Sequence, residues 1–361
     1  MNKQESDILN TLLLEPFINQ RILSEVSGHS LGVVNRSLKN LIKEGYVDEH
    51  IRPTEKAKLK IKANSPQNAI ILAAGFGMRM VPINTQTPKA LMEVNGETLI
   101  ERTIEQLHEV GVKNIYVVVG YMKEQFEYLI DEYGVELIVN EEYAEKNNLH
   151  SLHLASSHLS NSSIYAAREY IKNSYICSSD NYFITNPFES DVDESYYAAV
   201  YIEGETGEWC ILEEDGLIKD VKVGGQDSWV MLGHVFWSES FSRYFLHILE
   251  DEYELPETAD KLWETIYIEH INELPMKIRK YPADFIFEFD TLDELREFDD
   301  SYISNTRSEI LTKIAGELGV EEKEIRSVKA FKDNDNAAAG FTFETGKKYR
   351  YYYKTETMGE L

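Results

Sequence analysis

A short buried strand that runs straight into a glycine turn constrains this chain more than any other feature. Ala69-Ile70-Ile71-Leu72-Ala73-Ala74 is wholly apolar and leads into Gly75-Phe76-Gly77-Met78-Arg79, and Thr87-Pro88-Lys89-Ala90-Leu91 follows shortly after. A strand opening into glycines lets main-chain N–H groups approach phosphate oxygens, because glycine has no Cβ and tolerates unusual dihedrals. Arg79 and Lys89 then bring positive charge to a polyphosphate whose leaving group becomes more negative as its bond breaks. The turn is not a dinucleotide fingerprint, which needs GxGxxG and a later acid. Nor is it a Walker loop, since no GK[ST] closes it. The bland alternative is a tight strand-to-loop turn with two surface cations.

Beyond this turn, strand and helix patterns alternate. Residues 98–110 read as a helix, 114–119 as a strand, 123–133 as a helix, 135–140 as a strand and 149–159 as a helix. Residues 174–178 form another buried strand ending at Asp180. This rhythm predicts an α/β fold, a mixed and mostly parallel sheet with helices on both faces. After residue 196 the pattern turns strand-rich, over 197–203, 209–213, 218–223 and 229–237, which places an acceptor-binding region on the far side of the same sheet. The domain boundaries expected are 1–63, a linker at 64–68, a catalytic domain at 69–303 and a small α+β appendage at 304–361. Within the appendage the sequence predicts a helix over 304–318 and three strands.

Residues 5–60 read as a winged helix-turn-helix, with helices over 7–14, 19–26 and 31–44. The third would bury Val34, Leu38 and Leu41 and expose Asn35, Arg36, Ser37 and Lys39. The chain carries a net charge of −27, which argues against nucleic-acid binding by the whole molecule. Residues 1–63 nevertheless hold ten Lys/Arg against eight Asp/Glu. Weak, salt-sensitive DNA binding through this module is one expectation, and packing against a partner is the other. No apolar run reaches the ~18 residues of a membrane span, the N-terminus lacks a signal-peptide pattern, and the two cysteines form no CxxC. A cytoplasmic protein is expected.

Two carboxylates at strand ends form a second chemical element. Asp180 ends the strand at 174–178, and Asp290 follows Phe285-Ile286-Phe287-Glu288-Phe289. Carboxylates from distant positions can converge on Mg²⁺, which takes a few oxygen ligands together with phosphate oxygens and water. Alternatively, Asp180 is a turn residue and Asp290 caps a helix over 293–299. A third element is aromatic: Tyr182, Tyr197, Tyr201, Trp209, Trp229 and Trp237 all fall in the expected acceptor half. Aromatic faces can select a quaternary ammonium, which offers no N–H donor, although rings in a sheet are often plain core. His150, His153 and His158 share no clean helical face and do not read as metal ligands.

Residues 69–300 resemble the glycosyltransferase-A-like nucleotidylyltransferases, and within them the bacterial CTP:phosphocholine cytidylyltransferases. The resemblance is carried by LAAGFGMR, TPKAL, VVGYMKEQFEYL, NEEYAEKNNLHSL, SSDNYF, GEW and FEFD. It implies a Mg²⁺-dependent transfer from CTP to phosphocholine. It implies that Asp180 and Asp290 hold the metal with help from Glu288, and that Ala73, Gly75, Phe76, Gly77, Gly120 and Tyr121 bind the nucleotide. Tyr182, Glu208, Trp209 and Asn148 would contact the acceptor, and Lys89 and Arg79 would offset charge in the transition state. Ser178 stands where some relatives carry an additional acid. A sugar-1-phosphate or another amino-alcohol phosphate is the alternative acceptor, and a transcriptional regulator with a ligand-sensing transferase domain is the alternative class. Residues 320–353 resemble the first strands of a choline-kinase N-lobe, without the catalytic loop that a kinase needs.

Overall fold

The computed structural model describes every residue except 2, 15–18, 160–170, 259 and 333–337. The chain divides into two compact units. One holds Met1–Pro66 with Glu189–Asp193, the other Gln67–Phe188 with Glu194–Leu361.

The first unit packs helices α1 (Lys3–Leu14), α2 (Gln20–Val26), α3 (Leu31–Lys43) and α4 (Glu55–Asn64). Asn19 and Ser30 cap α2 and α3 by accepting main-chain N–H bonds, as such residues do where the first helical donors have no partner. Ile8, Leu9, Leu12, Leu23, Val34, Leu38 and Leu41 make one core. On α3, Asn35, Arg36 and Lys39 are exposed, but Ser37 is only 4% exposed, contrary to expectation. Its position three residues after Val34 and four before Leu41 lies on the buried stripe, where a small side chain fits. The wing reduces to a single bridge between Val47 and Pro53. Helix α4 reaches Asn64, into the stretch expected as linker.

In the second unit, β1 (Asn68–Ala73) is followed by α5 (Leu99–Glu109), β2 (Asn114–Val119), α6 (Tyr128–Tyr133), β3 (Glu136–Val139), α7 (Asn148–Leu159) and β4 (Ser174–Ser178). Then come β5 (Asn181–Phe183), β6 (Tyr196–Glu214), β7 (Leu217–Trp237), α8 (Glu239–Glu252), α9 (Trp263–Glu269), β8 (Lys277–Tyr281) and β9 (Ile286–Glu288). The seven-stranded sheet runs β8-β6-β7-β4-β1-β2-β3. Strands β4, β1, β2 and β3 are parallel, and β7 joins β4 antiparallel. This is the expected mixed, mostly parallel sheet. Central strands β1 and β2 are buried on both faces, which explains their continuous Ile/Val/Leu/Ala runs. The four strands expected after residue 196 are two long ones, because the glycine-rich stretches that read as breaks are register shifts within one antiparallel ribbon.

The last elements are α10 (Leu292–Phe298), α11 (Glu309–Leu318) and a four-stranded antiparallel sheet of β10 (Arg326–Lys332), β11 (Ala338–Thr345), β12 (Lys347–Tyr352) and β13 (Thr357–Glu360). The fourth strand, sequence TMGE, lacks the alternation that would betray it. Residues 304–361 do not stand apart as an appendage. Leu311, Ile314, Phe341, Phe343 and Tyr351 share a hydrophobic core with Met80, Val81 and Ile83 behind the glycine turn and with Leu292 and Leu295 of α10. Within the stretch that resembles a kinase N-lobe, residues 333–337 lie outside the described residues.

Candidate active site

The carboxyl end of β1 feeds Ala73, Ala74, Gly75 and Gly77 into a cavity of about 240 Å³, which Pro88, Lys89, Asn140, Tyr143, Asn148 and Asp180 also line. Ligand sites in open α/β sheets sit at such strand ends. Gly77 is in the left-handed region at φ 67°, and a Cβ there would lie 3.3 Å from Lys89 Cβ. Any side chain at this position would be strained and would crowd the lysine. Asn84, fully buried, donates to the carbonyls of Phe76 and Gly77 at 2.9 Å each and holds the turn open. Gly120 and Tyr121 flank the turn rather than line the cavity. A Cβ on Gly120 would lie 2.7 Å from Tyr143 Cβ, Tyr121 N donates to Ala74 O at 3.1 Å, and the Phe76 and Tyr121 rings meet edge to face at 4.5 Å.

The short ribbon of β5 and β9 brings the acidic residues together. It pairs Asn181 with Glu288, so Asp180 and Asp290 emerge at the same end. Lys89 Nζ sits between them, donating to Asp180 at 2.8 Å and Asp290 at 3.2 Å, with Glu288 at 3.7 Å. Burial alone would favour the neutral amine, but Asp180, Glu288 and Asp290 overcome it and raise the ammonium's pKa well above its ordinary value. Arg79 reaches Asp290 at 2.5 Å from the solvent side. Burial, with Asp180 nearby, pushes Glu288 up to about 7, against the pull of Lys89. Asp290 is not a helix cap. Thr291 holds that position in a reciprocal capping box with Glu294, leaving the Asp290 carboxylate to Lys89 and Arg79.

Among the described residues, no group of three His, Cys, Asp or Glu side chains is spaced as a ready metal site. The donor set of Asp180 and Asp290 nevertheless suits a hard cation that takes few protein oxygens, and the Lys89 ammonium already marks where positive charge is favoured. His150 and His153 instead stack with Tyr253, and burial lowers both pKa values.

The acceptor side departs further from expectation. Tyr182 is 7% exposed and packs with Phe298, while the Arg102 guanidinium covers its ring at 4.7 Å. It therefore has no free face for an acceptor. The β5–β9 register puts Tyr182 with Phe287 on the face opposite to Asn181 and Glu288. Glu208 is exposed on the β6–β7 ribbon. Trp209 is half-buried and packs into the core that contains Tyr197, Trp263 and Trp237; Trp237 is fully buried. Asn148 does line the cavity, and it reveals a residue the sequence did not single out. Its Oδ1 accepts from Trp263 N at 2.9 Å and its Nδ2 donates to Glu264 at 3.1 Å. Tyr197 OH also donates to Glu264, at 3.4 Å, and its ring stacks on Trp263 at 5.9 Å. Burial pushes Glu264 up to about 7, with Asn148 and Tyr197 opposing. Spatial proximity alone exposes Glu264, since it sits in an ordinary amphipathic helix with no motif around it.

A family model for MobA-like NTP transferase domains matches residues 69–168, and one for winged helix-turn-helix DNA-binding domains matches residues 1–48. The chain is 35% identical over 233 residues to the choline-phosphate cytidylyltransferase of Streptococcus pneumoniae, covering 64% of this chain and 96% of the relative. It belongs to the choline-phosphate cytidylyltransferase family. A solved CTP:phosphocholine cytidylyltransferase from the same organism superposes with a TM-score of 0.59 at 34% identity, covering 65% of this chain and 99% of the other. The 2-aminoethylphosphonate cytidylyltransferase of Lancefieldella rimae is also similar, 37% identical over 246 residues, 67% of this chain and 95% of that relative. This cytidylyltransferase is thus a nucleotidyltransferase. Nucleotidyltransferases generally use a divalent metal. Among the described residues, no helix is long and apolar enough to cross a membrane.

Proposed function

We propose that the chain makes CDP-choline and pyrophosphate from CTP and phosphocholine. The observation that carries this reading is Lys89, held by Asp180 and Asp290 beside the glycine turn. There it can meet the charge that develops as pyrophosphate departs. A phosphate oxygen of phosphocholine attacks the α-phosphorus of CTP in line. The new P–O bond forms as the bond to the oxygen bridging to the β-phosphate breaks, and the electron pair leaves with pyrophosphate. The nucleophile is already largely ionised at neutral pH, so no general base is required. Main-chain N–H groups at Gly75 and Gly77 hold phosphates, and Arg79 and Lys89 offset their charge. Asp180 and Asp290, with Glu288 beside them, would hold a Mg²⁺ ion, which supplies charge neutralisation across the reacting phosphates.

On the acceptor side, the half-buried Trp209 offers aromatic surface and Glu264, bonded to Asn148 of the cavity wall, offers a carboxylate, a combination suited to trimethylammonium. The Lancefieldella rimae relative favours a second reading, 2-aminoethylphosphonate as acceptor. Pyrophosphate release measured with CTP and each acceptor in turn separates them. Higher kcat/KM with phosphocholine is expected, and a preference for 2-aminoethylphosphonate or a sugar phosphate would sink the choline assignment. The first unit, with Arg36 and Lys39 exposed on α3, is read as a weak, salt-sensitive DNA binder. Its retention by duplex DNA at low salt, lost at physiological salt, is the matching test. Both cysteines are buried and free, which fits the cytoplasm as the working compartment.

A further inference from the structure

The C-terminal sheet touches the catalytic apparatus at several points that a detached appendage would not. Met80, which ends the glycine-turn motif, lies in one core with Phe341 and Tyr351. Gln86, three residues before Lys89, accepts at its side-chain oxygen from the main-chain N–H of Glu309, at the start of α11, at 3.1 Å. Its carbonyl accepts from Gln125 on the opposite flank at 3.0 Å. Behind Asp290, the buried Arg296 donates to the carbonyls of Ile325 at 2.6 Å and Glu322 at 2.7 Å, fastening α10 to the entry of β10. The segments carrying Lys89 and Asp290 are thus both tied to residues 309–326.

One ring extends this support to the nucleotide side. Tyr353 follows β12, where its main-chain N–H donates to Ala339 O at 3.0 Å and its ring meets Phe341 at 5.9 Å and Tyr351 at 6.1 Å. It packs against the core that holds Met80 and Val81. Its hydroxyl is buried and has no hydrogen-bond partner among the described residues. Tyr121 stands edge to face against Phe76 at 4.5 Å and faces Tyr143 of the cavity wall at 6.3 Å. The C-terminal sheet therefore reaches the glycine-turn segment through the core that Phe341 and Tyr351 share with Met80, Val81 and Ile83.

We propose that the C-terminal sheet is the back wall of the nucleotide subsite, with Tyr353 a positioning residue that, through Phe341 and Tyr351, holds the Met80–Ile83 segment behind the turn. This rests on the reading of the turn as the CTP site. Aromatic neighbours contribute about 0.5–1.5 kcal/mol beyond their burial, so losing the ring weakens nucleotide binding about threefold to tenfold. It leaves the acceptor site, built on α7, β6 and α9, untouched.

The test compares the wild type with Tyr353→Leu, Tyr353→Phe and Gln86→Ala in the full chain. KM and kcat are measured with CTP and phosphocholine varied separately, and CTP binding is measured by calorimetry. A wild type that binds and turns over another NTP instead of CTP refutes the CTP reading alone, and the variants are then assayed with that nucleotide. The leucine variant is expected to raise the nucleotide KM and Kd about threefold to tenfold, with kcat within about twofold and acceptor KM unchanged. Phenylalanine keeps the ring and removes a hydroxyl that has no partner among the described residues, so it is expected to match the wild type. Equal rises in both KM values, or no change in either, overturn the proposal. If the leucine variant fails to fold, Gln86→Ala decides. A selective rise of about threefold in nucleotide KM supports the wall, and unchanged kinetics refute it.

Discussion

On the proposed reading, the chemistry on the nucleotide side of the cleft comes from two short stretches, residues 73–79 and 87–91, closed by Asp180 and Asp290. On the acceptor side it comes from separate elements. Asn148 opens α7, Tyr197 and Trp209 lie on β6, and Trp263 and Glu264 open α9. A phosphate loop needs contiguous main-chain donors, so it leaves a contiguous mark in sequence. A pocket for a cation needs only side-chain surface, and any element can supply it. The two sides also differ in electrostatics. The first surrounds an ammonium with carboxylates, whereas the second buries the Glu264 carboxylate beside the Asn148 amide and the Tyr197 hydroxyl.

If the division is real, the largest effects arise on the nucleotide side and fall on turnover. Lys89→Met is expected to lower kcat by about 10³-fold, and Asp290→Asn by about 10²-fold, with acceptor KM little changed, measured by pyrophosphate release. Because Thr291 and not Asp290 caps α10, the melting temperature of Asp290→Asn is expected to stay near that of the wild type. A large drop would return Asp290 to a structural role.

Acceptor-side changes are expected to be smaller and to fall on KM. Glu264→Gln removes the carboxylate and is expected to raise phosphocholine KM about tenfold while CTP KM holds. In the wild type, ionisation of Glu264 near pH 7 makes phosphocholine KM fall as pH rises through that region, and glutamine abolishes the trend. Stability has the opposite sign. The folded-state pKa lies above the unfolded one, so the folded form holds the extra proton between about pH 4.5 and 7. Stability is expected to decline over that window and level off above it, with a shallower decline in Glu264→Gln, followed by thermal melts. Residual pH dependence of kcat is expected to reflect Glu288, which burial and Asp180 push up to about 7.

Two rings sharpen the comparison within the acceptor half. Trp209→Leu is expected to raise phosphocholine KM up to about tenfold and phosphoethanolamine KM less, since an ammonium with N–H groups has other partners. Tyr182→Leu is expected to lower the melting temperature without moving either KM, because Arg102 and Phe298 already occupy that ring. A selective choline defect in Tyr182→Leu would reverse the assignment. Deleting residues 1–66 is expected to have the smallest effect, with kcat and both KM values within about twofold, because the second unit holds its own core.

The legibility of the sequence follows the same division. The parallel strands were readable because burial on both faces leaves unbroken apolar runs, as in Ile115–Val119 of β2. The convergence of Asp180 and Asp290 was readable because each follows a recognisable strand. The ribbon β6–β7 was read as four strands, because Gly204, Gly207, Gly224 and Gly225 look like turns when their cross-strand partners are unknown. Tyr182 was misread for a similar reason. Its face depends on the pairing with Phe287, which lies more than a hundred residues away. Glu264 escaped because an acid in a helix is ordinary until Asn148 and Tyr197 are found around it.

The lysine among the carboxylates also bears on the order of events. With Lys89 in place, Asp180, Glu288 and Asp290 are already compensated, and binding begins as a change of partners. On the proposed reading, a triphosphate seated on the glycine turn would compete for that ammonium, and drawing it off would leave Asp180 and Asp290, the latter still beside Arg79, free to hold a cation. An acceptor arriving first finds the lysine still engaged with its own protein. The arrangement favours a compulsory sequence, nucleotide before acceptor. In product-inhibition experiments pyrophosphate and CDP-choline would then give the unequal patterns of an ordered reaction, and symmetrical patterns would show that the lysine imposes no queue.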